Sequence, residues 1–389
     1  MIERRLLPVA RKSLRGFPVV ALTGPRQSGK TTLARVLGGA RPYASLEDPD
    51  VREYATNDPR GFLAQFPDGA VLDEIQRCPA LFSYLQGVVD ADGRMGQFIL
   101  TGSQQFGLVE AITQSLAGRV SLLHLFPFSL PELQAAGRAP ATLDSLLGGG
   151  LFPPVHDRPV EPTEWLRSYV ATYLERDVRQ ALKVQDLAAF QRFIQLCAGR
   201  VGQLVNVTSL ASDTGVSRPT AEAWLSVLQA SFLVLLVRPH FGNFSKRIIK
   251  TPKLYFCDPG LAAWLVGIRE PGHLAAHPLR GGLFENWVVT ELAKEQANRG
   301  ENPAVHFWRD KEGHEVDAVV ERGATWHAIE IKAGRTVAAD FFDGLDFWRR
   351  QSPGARIRPW LVYGGDAAQT RDRATVVPWQ EIGKLVAAL

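Results

Sequence analysis

Short apolar runs recur through the first third of the chain. Between them, apolar residues return every three or four positions. The runs at 17–22, 42–46, 70–72, 97–100 and 120–125 read as buried strands, and the intervening segments as helices. Strand and helix in alternation predict a parallel α/β sheet, with loop chemistry gathered at the strands' C-terminal ends. A Gly/Pro-rich break at Gly148, Gly149, Gly150, Pro153 and Pro154 ends this rhythm. Residues 164–182 then carry Leu166, Val170, Tyr173, Leu174 and Val178 at helical spacing, and 187–199 make a second amphipathic helix. Residues 208–214, capped by Thr208, and 218–230, capped by Ser217 with Pro219 in the first turn, flank a Gly215-Val216 turn. That is a helix-turn-helix pattern. Strands at 232–238 and 248–256 complete a winged helix. A helix over 282–292 follows, then strands at 305–309, 315–320, 326–332 and 360–364.

Composition narrows the class. The chain has 389 residues, more than one core normally serves, so several domains are expected. Hydrophobic content of 46% with 22% charged residues excludes a disordered chain. The net charge of +4 is compatible with nucleic acid but too mild to demand it. Cys78, Cys197 and Cys257 are widely spaced, form no metal motif and fit a reducing cytoplasm. The charged N-terminus lacks an apolar signal core, and no run of about 18 apolar residues offers a membrane span.

The strand at 17–22 runs into Gly24, Pro25, Arg26, Gln27, Ser28, Gly29, Lys30, Thr31 and Thr32, which fits the phosphate-binding loop G-x-x-x-x-G-K-[ST]. The glycines let the backbone turn and approach phosphate oxygens, and the loop N–H groups with the next helix N-terminus face the anion. Lys30 reaches the β- and γ-phosphates, and the Thr31 hydroxyl ligates Mg²⁺. Ala70-Val71-Leu72-Asp73-Glu74 is an apolar strand ending in two acids. We assign Asp73 to the metal and Glu74 to the attacking water. Thr101 or Ser103, at the tip of the next strand, is placed to sense the γ-phosphate. Arg119 either supplies charge to the transferring phosphate, in cis or from a neighbouring subunit, or makes a surface salt bridge.

The ordered set GPRQSGKT, LDEIQ, LTGSQQF, LAGR and FPFSLPEL resembles a prokaryotic branch of the AAA+ ATPases, the one paired with a C-terminal domain of unknown function, number 4143. The resemblance implies a P-loop ATPase core with a small helical lid, often in a ring-like homo-oligomer. It puts Thr101 at a sensor position and Arg119 on a recurring Gly-Arg pair.

Two further parts carry chemistry. In the winged helix, Arg218, Thr220 and Trp224 are expected toward a DNA groove, and Lys246, Arg247, Lys250 and Lys253 on phosphates. Winged helices also dock proteins, so a protein partner stays open. In the last quarter, Glu330 and Lys332 alternate on one strand face and Asp317 comes from the preceding strand. Two carboxylates there can hold Mg²⁺ or Mn²⁺, with Lys332 orienting water and Glu285 completing the shell from its helix. Asp317 followed by Glu330-Ile331-Lys332 resembles the PD-(D/E)xK nuclease signature, although Val316 stands where that signature usually has proline.

The expected chain is therefore an α/β multidomain protein. An AAA+ P-loop parallel sheet core at 1–152 precedes a helical lid at 153–202 and a winged helix at 203–270. A PD-(D/E)xK, restriction-endonuclease-like α/β domain at 271–389 completes it. The expected function is Mg²⁺-dependent ATP hydrolysis in the cytoplasm, coupled to DNA binding and metal-dependent DNA cleavage. The alternative is a nucleotide-driven switch on protein partners with an inactive nuclease-like domain.

Overall fold

The computed structural model describes residues 2–103, 115–173, 186–240 and 250–389. They gather in two compact units. One comprises Met1–Phe128, Ala230–Phe232 and Gln296–Asn302, the other Ser129–Gln229, Leu233–Glu295 and Pro303–Leu389.

The first unit is built on β1 (Val19–Thr23), β2 (Tyr43–Ser45), β3 (Ala70–Asp73), β4 (Phe98–Gly102) and β5 (Val120–His124). They form a five-stranded sheet in the order β2-β3-β4-β1-β5, with every pairing parallel. Central strands of such a sheet are covered on both faces, which explains the unbroken apolar runs seen in the sequence. The pleat sorts their side chains. Val19 and Ala21 join Leu72, Phe98 and Leu100 in one core, while Val20 and Leu22 join Val71 and Ile99 in the other. This is a mixed α/β fold with a parallel sheet core. The reversal of strand order beside β1 places the β1, β3 and β4 tips together, where ligands bind in open α/β sheets.

The second unit is built on β6 (Val234–Pro239), β7 (Lys253–Phe256), β8 (Val305–Arg309), β9 (Glu315–Arg322), β10 (Thr325–Lys332), β11 (Arg356–Tyr363), β12 (Gln369–Arg371) and β13 (Ala374–Pro378). Its eight-stranded sheet runs β12-β13-β11-β10-β9-β8-β6-β7. The β8-β9-β10 segment is an antiparallel meander, β10 and β11 are parallel, and β6 runs parallel to β8. The β6-β7 pair therefore extends the C-terminal sheet. The helix Asp343–Gln351 lies between β10 and β11 in sequence, and its Leu345 and Trp348 share a core with Ala328, Val316 and Leu361.

Three local expectations change. The helix Val207–Thr214 is capped by Asn206, whose side chain accepts the Ser209 N–H at 3.0 Å, so it begins one residue before Thr208. Phe232 has a left-handed backbone (φ 57°), so β6 starts only at Val234. The helix expected over 164–182 is described as Pro162–Tyr169, and its continuation past 173 lies outside the described residues.

Candidate functional site

The loop after β1 is shaped by backbone geometry. Gly24 has φ 151°, and a Cβ on it would lie 2.1 Å from the Leu125 carbonyl oxygen, so no larger residue fits. Gly29 (φ 93°) turns the chain into the helix Lys30–Gly38. The Lys30 ammonium folds onto the loop, donating to the carbonyls of Gly24 at 3.1 Å and Pro25 at 2.8 Å. Burial lowers its pKa to about 8, against the opposing pull of Glu74 and Asp73. Arg4 braces the loop from the N-terminal segment, donating to the Ser28 carbonyl at 3.2 Å and the Phe126 carbonyl at 2.5 Å. The Ser28 hydroxyl is buried with no partner.

Asp73 is the meeting point. It is 5% exposed at the tip of β3 and accepts from the Thr31 hydroxyl at 3.0 and 3.1 Å, from Tyr43 at 2.6 Å and from Thr101. Glu74 follows in a left-handed conformation (φ 55°) that turns its side chain off the strand line. The Glu74 N–H donates to the Thr101 hydroxyl at 3.1 Å, while its carboxylate accepts from Ser103 at 3.0 Å and from Gln76. Thus the loop, β3 and β4 each contribute to one constellation. Thr31 and Asp73 form an oxygen pair suited to Mg²⁺, and the orphaned Ser28 hydroxyl in the loop ahead of Lys30 suits an anionic ligand. Magnesium bound there would offset phosphate charge.

Arg119 is placed elsewhere. Its guanidinium pairs with Asp90 at 2.5 and 2.9 Å, and its carbonyl accepts the Val19 N–H at the start of β1. β1 is five residues long, which at about 3.3 Å per residue puts Arg119 roughly 15 Å from the loop. This corrects the expectation of a cis role.

In the second unit the predicted acids do converge. Asp317 accepts the Ile331 N–H at 2.8 Å, and Lys332 lies 2.5 Å from Glu330 and 3.8 Å from Asp317. One oxygen each from Glu285, Glu315 and Asp317 lies within 4.8 Å of the others. Between two of them sits a lysine. Lys253 Nζ is 2.7 Å from Glu285 and also pairs with Glu315, and Tyr255 donates to Glu285 at 2.6 Å. Burial, with Asp317 adding to it, pushes Glu330 above the carboxylate range against the pull of Lys332. Burial does the same to Glu285 against the pull of Lys253.

Residues 16–134 match the model of an AAA domain, residues 280–382 match a domain of unknown function (DUF4143), and residues 141–272 match another (DUF8612). Two proteins of Mycobacterium tuberculosis and Mycobacterium bovis, the uncharacterized proteins Rv2008c and Mb2031c, are each 34% identical over 340 residues. The match covers 86% of this chain and 75% of each relative. The chain belongs to the same family as these two proteins, and its own residues 16–134 are the AAA domain. Among solved structures, the Walker-type ATPase PABY2304 of Pyrococcus abyssi overlaps 68% of this chain and 96% of its own, at 16% identity and a TM-score of 0.43. AMPPCP-bound DnaA from Aquifex aeolicus overlaps 57% of this chain and 86% of its own, at 14% identity and a TM-score of 0.30. Both overlaps are too loose to bear on function.

For this AAA-family protein, the residues expected on DNA divide. Arg218 is exposed and pairs with Glu222 at 2.8 Å, Thr220 bonds Ser217, and Lys250 is exposed. Lys246 and Arg247 lie outside the described residues. Trp224 and Lys253 require correction. Trp224 is 6% exposed and packs edge-on against Phe190 and Phe193, while Lys253 is 3% exposed inside the acid cluster. Neither is available to a groove or a phosphate. Of the loop residues, Arg26 faces Glu47 at 3.7 Å, and Gln27 and Thr32 are exposed.

Sequence reasoning missed Tyr43, Gln76, Glu315 and Tyr255. Gln76 and Glu315 carried a signal, since each lies two residues from a predicted site acid. Tyr43 and Tyr255 carried none, because only the sheet brings them to their carboxylates. The acid set does not fit a divalent ion as arranged here, because the Lys253 ammonium already compensates Glu285 and Glu315. Among the described residues, no helix is long and apolar enough to cross a membrane.

Proposed function

We propose that this protein hydrolyses ATP with magnesium in the cytoplasm. In this reading the loop 24–32 binds the phosphates, Lys30 contacts the terminal ones, Thr31 and Asp73 hold the metal, and Glu74 orients water. The supporting observation is the convergence of Thr31, Tyr43 and Thr101 on Asp73, with Glu74 beside it. Thr101 links the two acids and so stands as the sensor. Arg119, paired with Asp90 at the opposite end of β1 from the loop, fits the surface salt-bridge alternative, and any catalytic role left to it lies across a subunit boundary. The test is steady-state turnover and nucleotide binding. Lys30→Ala is expected to lose both; Glu74→Gln should keep binding and lose turnover. Wild-type turnover in Glu74→Gln would remove Glu74 from its role.

The output we assign to this ATPase is DNA, engaged through the helix pair Val207–Thr214 and Arg218–Ala230 of the expected winged helix and held by a PD-(D/E)xK-like domain whose sheet β6 and β7 join. Exposed Arg218 and Lys250 support it. Lys253 inside the acid cluster favours holding DNA over cutting it. A second reading, a switch acting on protein partners, draws on Glu222, which neutralises Arg218 on the same helix. Turnover measured with and without duplex DNA across salt separates them, because phosphate contacts make stimulation salt-dependent.

A further inference from the structure

A cluster of buried acids normally draws a cation, because isolated buried carboxylates are costly to keep ionised. In the C-terminal unit the cation is part of the chain. Lys253 and Tyr255 alternate along β7 and so project from one face of it. Both reach Glu285 Oε1, at 2.7 Å from Lys253 Nζ and 2.6 Å from the Tyr255 hydroxyl. Lys253 Nζ also pairs with Glu315 Oε1, and the ammonium lies 5.5 Å from the centre of the Phe307 ring. The lysine side chain is 3% exposed. Its 2.7 Å contact with Glu285 is an ordinary charge-assisted hydrogen bond, about 2.7–2.9 Å.

The acids around it are not fully compensated. Glu315 has a second partner in Arg309 at 2.9 Å, and Lys332 serves Glu330 and Asp317. Glu330 Oε2 is nonetheless buried with no hydrogen-bond partner. The helix Asp343–Gln351 presses on this oxygen. A Cβ on Gly344 would lie 3.2 Å from it and 2.2 Å from the Glu315 carbonyl oxygen, so the backbone can approach only as glycine. The cluster thus sets four carboxylates, Glu285, Glu315, Asp317 and Glu330, against three cations, Lys253, Arg309 and Lys332.

We propose that Lys253 is the resident cation of the Glu285–Glu315–Asp317 cage, holding the place of a divalent ion and closing the cage to metal while it stays there. The assignment rests on the nuclease-like reading only for the choice of ions to test. Its readout is metal binding, so it fails or stands independently of DNA binding and ATP turnover.

The experiment uses the full chain without nucleotide, titrated with Mn²⁺ by calorimetry and melted with Mg²⁺, Mn²⁺ or Ca²⁺. Wild type is expected to show no saturable Mn²⁺ site that depends on Glu285. Lys253→Met keeps the apolar stem and removes the charge. It is expected to gain one Mn²⁺ per chain, roughly tenfold tighter than any wild-type binding or better, and to melt higher with the ion. The double variant Lys253→Met/Glu285→Gln should fold without metal and lose the gain. Should Lys253→Met fail to fold in chelator, recovery on adding Mn²⁺ is the expected result. A folded Lys253→Met chain that binds no ion would overturn the proposal. So would one that no ion rescues, or wild-type binding that Glu285→Gln abolishes.

Discussion

Thr101 serves two acids with one hydroxyl. Its proton goes to Asp73 and its oxygen accepts the N–H of Glu74, all at a residue with no exposed surface. Thr101→Val keeps the shape and deletes both bonds. A buried donor left without a partner costs about 1–3 kcal/mol, so thermal or urea denaturation should show a loss of that size. Because Glu74 then loses the contact that orients its peptide, kcat for ATP should fall while KM changes little. Thr101→Ser should restore both. A valine variant with unchanged kcat would make Thr101 structural only.

Between secondary-structure elements, one helix explains an expectation that failed. In Arg218–Ala230 the residues Ala221, Trp224, Leu225 and Leu228 recur at helical spacing and are all buried. Trp224 belongs to that apolar stripe, and the 3.6-residue period was enough to say so. Trp224→Ala should destabilise by about 3–5 kcal/mol through the cavity left against Phe190 and Phe193. Arg218→Ala and Lys250→Ala, at exposed positions, should stay within about 0.5 kcal/mol. If DNA is the partner, each should instead lower the salt dependence of binding by about one unit of slope. Urea denaturation and binding titrations across salt check the contrast. Lys253 was a different kind of miss. Its strand alternation with Tyr255 was readable, but Glu285 and Glu315 reach it from a helix and a strand distant in sequence.

At the scale of the whole chain, legibility followed sequence distance. The phosphate loop is one contiguous stretch, so its strand, turn and helix could be read together. The acid cluster draws on β7, the helix Arg280–Asn298, β9 and β10, and its charge balance emerges only when the sheet assembles. That balance has a consequence for stability. Glu330 faces Asp317, Glu315 and Lys332, and burial raises its pKa in the folded chain above that of an ordinary glutamate. Below the ordinary value both folded and unfolded chains carry the proton, and the folded state is not penalised. As pH rises from there toward the raised value, the unfolded chain releases its proton first, and the folded state loses relative stability. The unfolding midpoint should therefore decline from mildly acidic to mildly alkaline buffer. Glu330→Gln keeps the shape without the titration, so its midpoint should change less over the same range. Melts of the two chains side by side across pH test this, and parallel curves would mean that Glu330 is ionised alike in both states.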